Sequence, residues 1–326
     1  MITSVFKSSL VLLVILVSAQ FLFAQQGWNV NRAKGSGDLI SVYFTSSNEG
    51  WVAGDKGYLA YTKDGGRSWK RRILNTVANI NEIYFRNDKH GYLVAGRKMF
   101  ITKDRGKSWR ETLIADPNEF KDGVPEFLSI RFNSKNKGFI IGSVIDKDDK
   151  NNVIGSLLLR TVDGGNTWSR ISIPTKVELF HLDFVSKTRG WIVGDMGVIL
   201  ATTDGGSNWR EQRSRTEETL YNVDFRDKKD GYAVGTNGTI LRTENGGRNW
   251  TKVKTNFTKT LFRVDFADDK NGWIVGSKGT ILRSYDKGKS WVGQISNTDK
   301  SLYGLYMTKK YGWCVGKTGV IVKYTK

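Results

Sequence analysis

Acidic side chains recur along this 326-residue chain in two settings, and each suggests its own chemistry. The first is the pattern S/T-x-D-x-G-x-x-W. It carries Asp64, Asp104, Asp163, Asp204 and Asp286, with Asn245 in the equivalent place, and a Trp follows each of them. A carboxylate or amide there can accept hydrogen bonds from nearby backbone N–H groups while Gly supplies positive φ, so the pattern reads as a structural turn. The second setting is a set of alternating stretches holding Glu82 and Tyr84, Arg131, His181 and Asp183, Asp224, and Arg263 and Asp265. Two carboxyl groups flanking a glycosidic bond can serve as general acid and as base or nucleophile, and Glu82, Tyr84 and Asp183 are the candidates for such work. The same residues could instead bind a small ligand or ion, or form a solvated channel of mutually neutralising charges. The histidines are His90 and His181 and the one cysteine is Cys314. No Cys/His cluster therefore points to a metal, no intramolecular disulfide can form, and no cofactor is expected.

The elements that must position these residues form a repeat. Its clearest copy runs from Leu220 to Trp250, and the copy from Leu261 to Trp291 matches it almost position for position. Each copy reads as strand a (alternating, as in Tyr221 to Phe225), a charged turn, an aromatic-rich strand b, a tight Gly turn, strand c, the Asp turn and a short strand d. Four short strands per roughly 41 residues is the spacing of a propeller blade. Blades are expected at about 39–72, 80–111, 127–170, 179–211, 220–252, 261–293 and 302–326. The last copy lacks strand d, while Trp28 precedes Leu39 by the interval that separates Trp250 from Leu261. Residues 27–31 should therefore complete the seventh blade beside Val320 to Tyr324. The expectation is one all-β domain over 25–326: a seven-bladed β-propeller of four-stranded antiparallel blades, closed by its N-terminal strand.

In such a ring, strand a lines the central channel. Alternation buries Val223 and Phe225 and turns Asn222 and Asp224 to the axis, with Arg131, His181, Asp183, Arg263 and Asp265 at matching positions. Arg160, Arg242, Arg283 and Lys323 share one place near the end of strand c. That set could bind an acidic partner, or it could pack its stems between blades with the heads in water. Two insertions, between Trp109 and Phe127 and between Gly142 and Thr161, read as loops grown on the face opposite the Asp turns. Growth on one face of a regular scaffold marks either a binding side or a tolerated insertion. Their Asp116, Glu119, Asp122, Glu126, Asp146, Asp148 and Asp149 could also hold Ca²⁺.

Lys and Arg number 51 against 32 Asp and Glu, a formal net charge of +19. Such a field attracts anionic surfaces. The expected partner is a protein with an acidic surface, a membrane-protein complex included, with no nucleic acid, and the chain is expected to be a monomer. Lys7, the apolar run from Leu10 to Val17 and Leu22-Phe23-Ala24 read as a signal peptide over residues 1–24, with an uncleaved anchor as the alternative, so the chain is expected to be exported to a periplasmic, lumenal or secreted location, free or membrane-associated.

The unit carried by Asp183-Phe184, Gly190-Trp191, Val193-Gly194, Gly197, Ile199-Leu200, Thr202, Asp204-Gly205-Gly206 and Trp209 resembles the photosystem II assembly and stability factors, a family of seven-bladed Asp-box propellers. The resemblance covers positions 27 to 326. It implies a non-catalytic scaffold in or near the thylakoid lumen that assists early photosystem II assembly, with arginines on one face involved. The alternative is an Asp-box glycosidase of sialidase type acting on acidic glycans. Its F/Y-R-I-P motif is absent, and only Arg131 and Arg263 sit at channel positions. A sorting-receptor-like module on the same repeat is a third reading.

Overall fold

The computed structural model describes residues 27–35, 37–112, 114, 120 and 123–325. The leader expected over residues 1–24 lies outside them. The described chain folds into seven four-stranded antiparallel sheets. Blades are numbered one to seven here from the strand that begins at Leu39. Six blades take their strands in chain order. The seventh joins Leu302–Met307, Tyr311–Gly316 and Val320–Thr325 to the N-terminal strand Gly27–Arg32, with Trp28 opposite Tyr324. This closure leaves no open seam between first and last blade.

The b strands are buried end to end, as in Gly190–Gly194 and Gly272–Gly276. Their aromatic residues pack against the next blade. Trp313 stacks on Phe44 and Trp191 on Phe225, each at 3.4 Å between ring centroids. The Trp of the following Asp turn closes the same sandwich edge-on, as Trp69 does on Phe44 and Trp250 on Phe225. Apolar area is thus buried between blades as well as within them.

Turns sort onto two faces. The a–b and c–d turns of one blade bond to each other, as when the Gly205 N–H donates to Thr188 and the Gly246 N–H to Lys229. The b–c turns bond instead to the segment entering strand a, as when the Asp195 N–H donates to Glu178.

Two local features depart from the sequence reading. The insertion between Gly142 and Thr161 is not a loop. It lengthens strands b and c of blade three into a hairpin, Gly138–Asp146 paired with Val153–Thr161, beside an equally extended Gly123–Phe132. Val144, Ile145, Val153 and Ile154 continue the β pattern, and the turn formers are confined to residues 147–152. The other departure is a β-bulge near the start of strand a in every blade. Leu220 pairs with Gly235 and Asn222 with Val234, so Tyr221 has no partner. The glycine opposite makes this possible: a Cβ on Gly235 would lie 1.9 Å from the Thr219 carbonyl oxygen.

Candidate functional site

The Asp turns repeat one geometry. Thr62 Oγ1 donates to Asp64 at 2.7 Å and accepts from the Gly66 N–H, while Asp64 accepts from the Ser68 N–H at 2.9 Å and from Ser68 Oγ. Asp104, Asp163, Asp204 and Asp286 repeat it, and Asn245 accepts from Thr243 Oγ1 and the Asn249 N–H. Hydrogen bonds from Ser108 and Thr167 hold the carboxyls of Asp104 and Asp163 down at about 2.

The structure gathers Arg131, His181, Asp183, Asp224, Arg263 and Asp265 around one cavity of about 180 Å³ in the channel, together with Glu82, Asn222, Tyr43 and Tyr306. They form two tiers, from the third and fifth residues of strand a. Most of these side chains bond to the neighbouring blade. Ser41 accepts from the Ile83 N–H, Asn222 from the Val264 N–H, Asp183 from the Phe225 N–H and Asp265 from the Met307 N–H, at 2.7–3.1 Å.

Glu82 is the centre of the densest group. One oxygen accepts from Ser129 Oγ at 2.7 Å and the Ile130 N–H at 2.8 Å, and the other pairs with Arg131 at 2.8 Å. Burial opposes its ionisation, but Arg131 beside it, with the charge of Arg263 adding to it, holds the carboxyl well below the usual range. Burial pushes His181 down to about 3. The neutral ring accepts from Arg131 through Nε2 at 2.9 Å, so Nδ1 carries the proton and donates to the Val223 carbonyl at 3.1 Å. Glu82 Oε1 lies 3.7 Å from Nε2, beyond hydrogen-bond range. In the fifth-residue tier, burial raises Asp183; burial, with repulsion from Asp265 and Asp183, raises Asp224; and burial lifts Asp265 to about 7.

Arg160, Arg242, Arg283 and Lys323 all lie half-buried between blades. The Arg283 guanidinium lies over Trp273, Tyr285 and Tyr324 and donates to the Tyr324 hydroxyl at 3.0 Å. Arg242 donates to the Lys287 carbonyl and Glu244, and Lys323 to the Gly65 carbonyl. Three of the four heads are therefore engaged across a blade or a turn, and among the described residues no side-chain hydrogen bond of Arg160 is seen.

Of the acidic residues in the insertions, Asp116, Glu119 and Asp122 lie outside the described residues. Asp146 caps its own hairpin turn through the Asp148 N–H, and Glu126 accepts from Asn81. Among the described residues no group of three or more Asp, Glu, His or Cys is arranged to hold a metal ion.

Sequence reasoning missed a third tier, at the second residue of strand a. Ile40, Asn81, Leu128, Phe180, Tyr221, Phe262 and Tyr303 ring the channel mouth on the b–c face and line a cavity of about 350 Å³. Strict alternation places these residues in the core with Val223 and Phe225; the bulge turns them to the mouth. The recurrent glycine at the end of strand b was the available signal.

A family model described as "Photosynthesis system II assembly factor YCF48" matches residues 73–177, 165–255 and 248–326. A curated relative, photosystem II assembly lipoprotein Ycf48 of Synechococcus sp. (strain CC9902), is 27% identical over 134 residues, 40% of this chain and 36% of that one. The match thus spans about a third of the relative's length. Among solved structures, "YCF48 bound to D1 peptide" superposes with a TM-score of 0.73 at 20% identity, over 92% of this chain and 95% of that one. Virginiamycin B lyase from Staphylococcus aureus superposes equally well, with a TM-score of 0.74 at 13% identity over 92% and 99% of the two chains. At these identities the likeness lies in the fold.

Proposed function

The chain belongs to the photosynthesis system II assembly factor YCF48 family, and from that premise we propose that it is an exported, non-catalytic propeller that holds a protein partner while a larger complex is assembled. The relative's name gives that complex as photosystem II, and the solved relative carries a D1 peptide. Export rests on the apolar leader. The observation that carries the non-catalytic reading is the fate of the candidate acid and base. Both oxygens of Glu82 are consumed by Ser129, Ile130 and Arg131, and Asp183 accepts a backbone N–H from the next blade. Neither is free to attack a glycosidic carbon or to shuttle a proton to one. The lyase shares the ring and not the sequence, so it supplies no reaction to carry over.

The partner surface we favour is the face bearing the Asp turns. Lys89, Lys135, Lys187, Lys228, Lys229, Lys309 and Lys310 are exposed there on the a–b turns, with Lys137 and Arg189 half-buried among them. Charges so exposed steer an acidic protein surface and are screened by salt. Affinity capture from a membrane extract should recover a specific partner at low ionic strength and lose it at about 0.5 M salt. Reversing Lys228 and Lys229 to Glu should weaken capture without lowering the melting temperature. Capture of nothing specific at any salt would overturn the reading, as would turnover of a sialoside that Glu82→Gln abolishes.

A further inference from the structure

The channel mouth on the opposite face has the makings of a separate ligand site. Its aromatic residues form a continuous crescent. Phe180, Tyr221, Phe262 and Tyr303 come from four successive blades, with ring centroids 5.0, 5.5 and 5.3 Å apart. All four are half-buried, so each shows part of a ring to the cavity. Packing does not require this, because the blade cores are already filled by the first, fourth and sixth residues of strand a. A concave apolar surface of about 350 Å³ is the size that takes a small ligand.

Arg263 stands between this cavity and the one below, and it lines both. It belongs to the tier in which Ser41, Glu82, Ser129, His181 and Asn222 all have hydrogen-bond partners. Among the described residues, Arg263 makes neither a hydrogen bond nor an ion pair. The carboxylate whose charge favours Arg263, Glu82, is already held by Arg131, Ser129 and Ile130, and the next place in the tier is Gly304, which has no side chain to offer. Burial acts against the Arg263 cation, the charge of Glu82 favours it and that of Arg131 opposes it, and a guanidinium stays protonated in a protein. The guanidinium is half-buried and opens on both cavities, so an anionic group entering the mouth can accept a charge-assisted hydrogen bond from it in place of water.

The sign of the ligand follows. A cation would meet Arg263 head-on. The two carboxylates that line the mouth already hold backbone donors: Asp38 accepts from the Thr318 N–H and Asp55 from the Asp38 N–H. The guanidinium fork matches a carboxylate, which it can hold bidentately, and the crescent matches an apolar body.

We propose that this mouth binds a small amphiphilic carboxylate, its aryl or branched-alkyl body on Phe180, Tyr221, Phe262 and Tyr303 and its carboxylate paired with Arg263. The site lies on the face away from the proposed protein-docking surface, so either can fail without the other. Calorimetric titration of the full mature chain with 4-phenylbutyrate, 4-phenylbutan-1-ol and 4-phenylbutylamine tests it. The carboxylate should bind about tenfold tighter than the alcohol, with the amine weakest. Arg263→Gln should bring the carboxylate down to the level of the alcohol and leave the alcohol unchanged. Tyr221→Ala, at the rim and outside the blade core, should weaken the carboxylate and the alcohol alike by several-fold. Preference for the amine, equal binding of all three probes by the native chain, or no binding of any would overturn the proposal. So would a carboxylate preference that survives Arg263→Gln.

Discussion

The Asp turns and the channel hold the same side chain in settings that differ in burial and in where the donor comes from, and the outcome is opposite. Asp104 and Asp163 sit at the outer face, accept from donors within four residues, and are held down at about 2. Asp265 also accepts a good hydrogen bond, from the Met307 N–H, but its donor is 42 residues away on the next blade and its surroundings are desolvated, so it rises to about 7. The difference shows what each set is for. A turn carboxylate stabilises its own loop and stays solvated. A channel carboxylate or amide ties one blade to the next, at the cost of placing charge where water is scarce. The residues that most resemble catalytic groups are therefore those on which the cohesion of the ring depends.

The widest gap between the two sets should come from Glu82. Its replacement by Ala strands Arg131 beside two unpaired donors, and denaturant unfolding should show a loss of about 3–5 kcal/mol. A loss below about 1 kcal/mol would place the channel on the same footing as the turns.

Next comes the pH dependence. Asp265 has a folded value above its ordinary 3.8. Its favourable contribution is complete below about pH 4 and is lost as pH rises through about 7. The turn aspartates have folded values below 3.8, so theirs is complete above that value and is lost as pH falls through about 2. Asp265→Asn keeps an acceptor for Met307 and removes the charge. It should leave stability at pH 4 nearly unchanged and raise it at pH 8 by about 1–2 kcal/mol. A fall at pH 8 would mean that the ionised carboxylate is needed.

The smallest effects should lie in the turns. Asp64→Ala should cost about 1 kcal/mol. Asp286→Asn should cost about 0.5 kcal/mol or less, because Asn245 makes the same backbone contact in the next turn upstream. Thermal melts of the two variants side by side would rank them; an equal cost would show that charge, beyond hydrogen bonding, holds the turn.

Much of this architecture was legible before any coordinates. Tight turns repeat with fixed residue types, so the blades declared themselves, and the interval from Trp28 to Leu39 placed the closing strand against Val320–Thr325. Alternation from Val223 and Phe225 also brought Arg131, His181, Asp183, Asp224, Arg263 and Asp265 to one channel. What alternation could not show was its own interruption. The bulge opposite Gly235 and its equivalents shifts Phe180, Tyr221, Phe262 and Tyr303 from the expected core to the mouth, and a shift of one residue reverses a side chain's face. The extended hairpin of blade three was hidden for a related reason. Asp146 to Asn152 reads as loop throughout, and only the pairing of Gly138–Asp146 with Val153–Thr161 shows how few of those residues turn. Nor could spacing tell that Arg263 would make no hydrogen bond or ion pair among the described residues while Arg131, the other channel arginine, found Glu82. That depends on which side chains from different blades meet across the axis.

The central claim is that Glu82 and Arg131 are each other's partners before they are anyone else's. A double-mutant cycle on Glu82→Gln and Arg131→Met, read by guanidinium chloride unfolding, tests it most directly. The account predicts that each single change is strongly destabilising, that the double variant recovers most of the loss, and that the coupling is about 2 kcal/mol or more. Additive losses, with coupling near zero, would contradict it and return Glu82 to the list of residues available for chemistry.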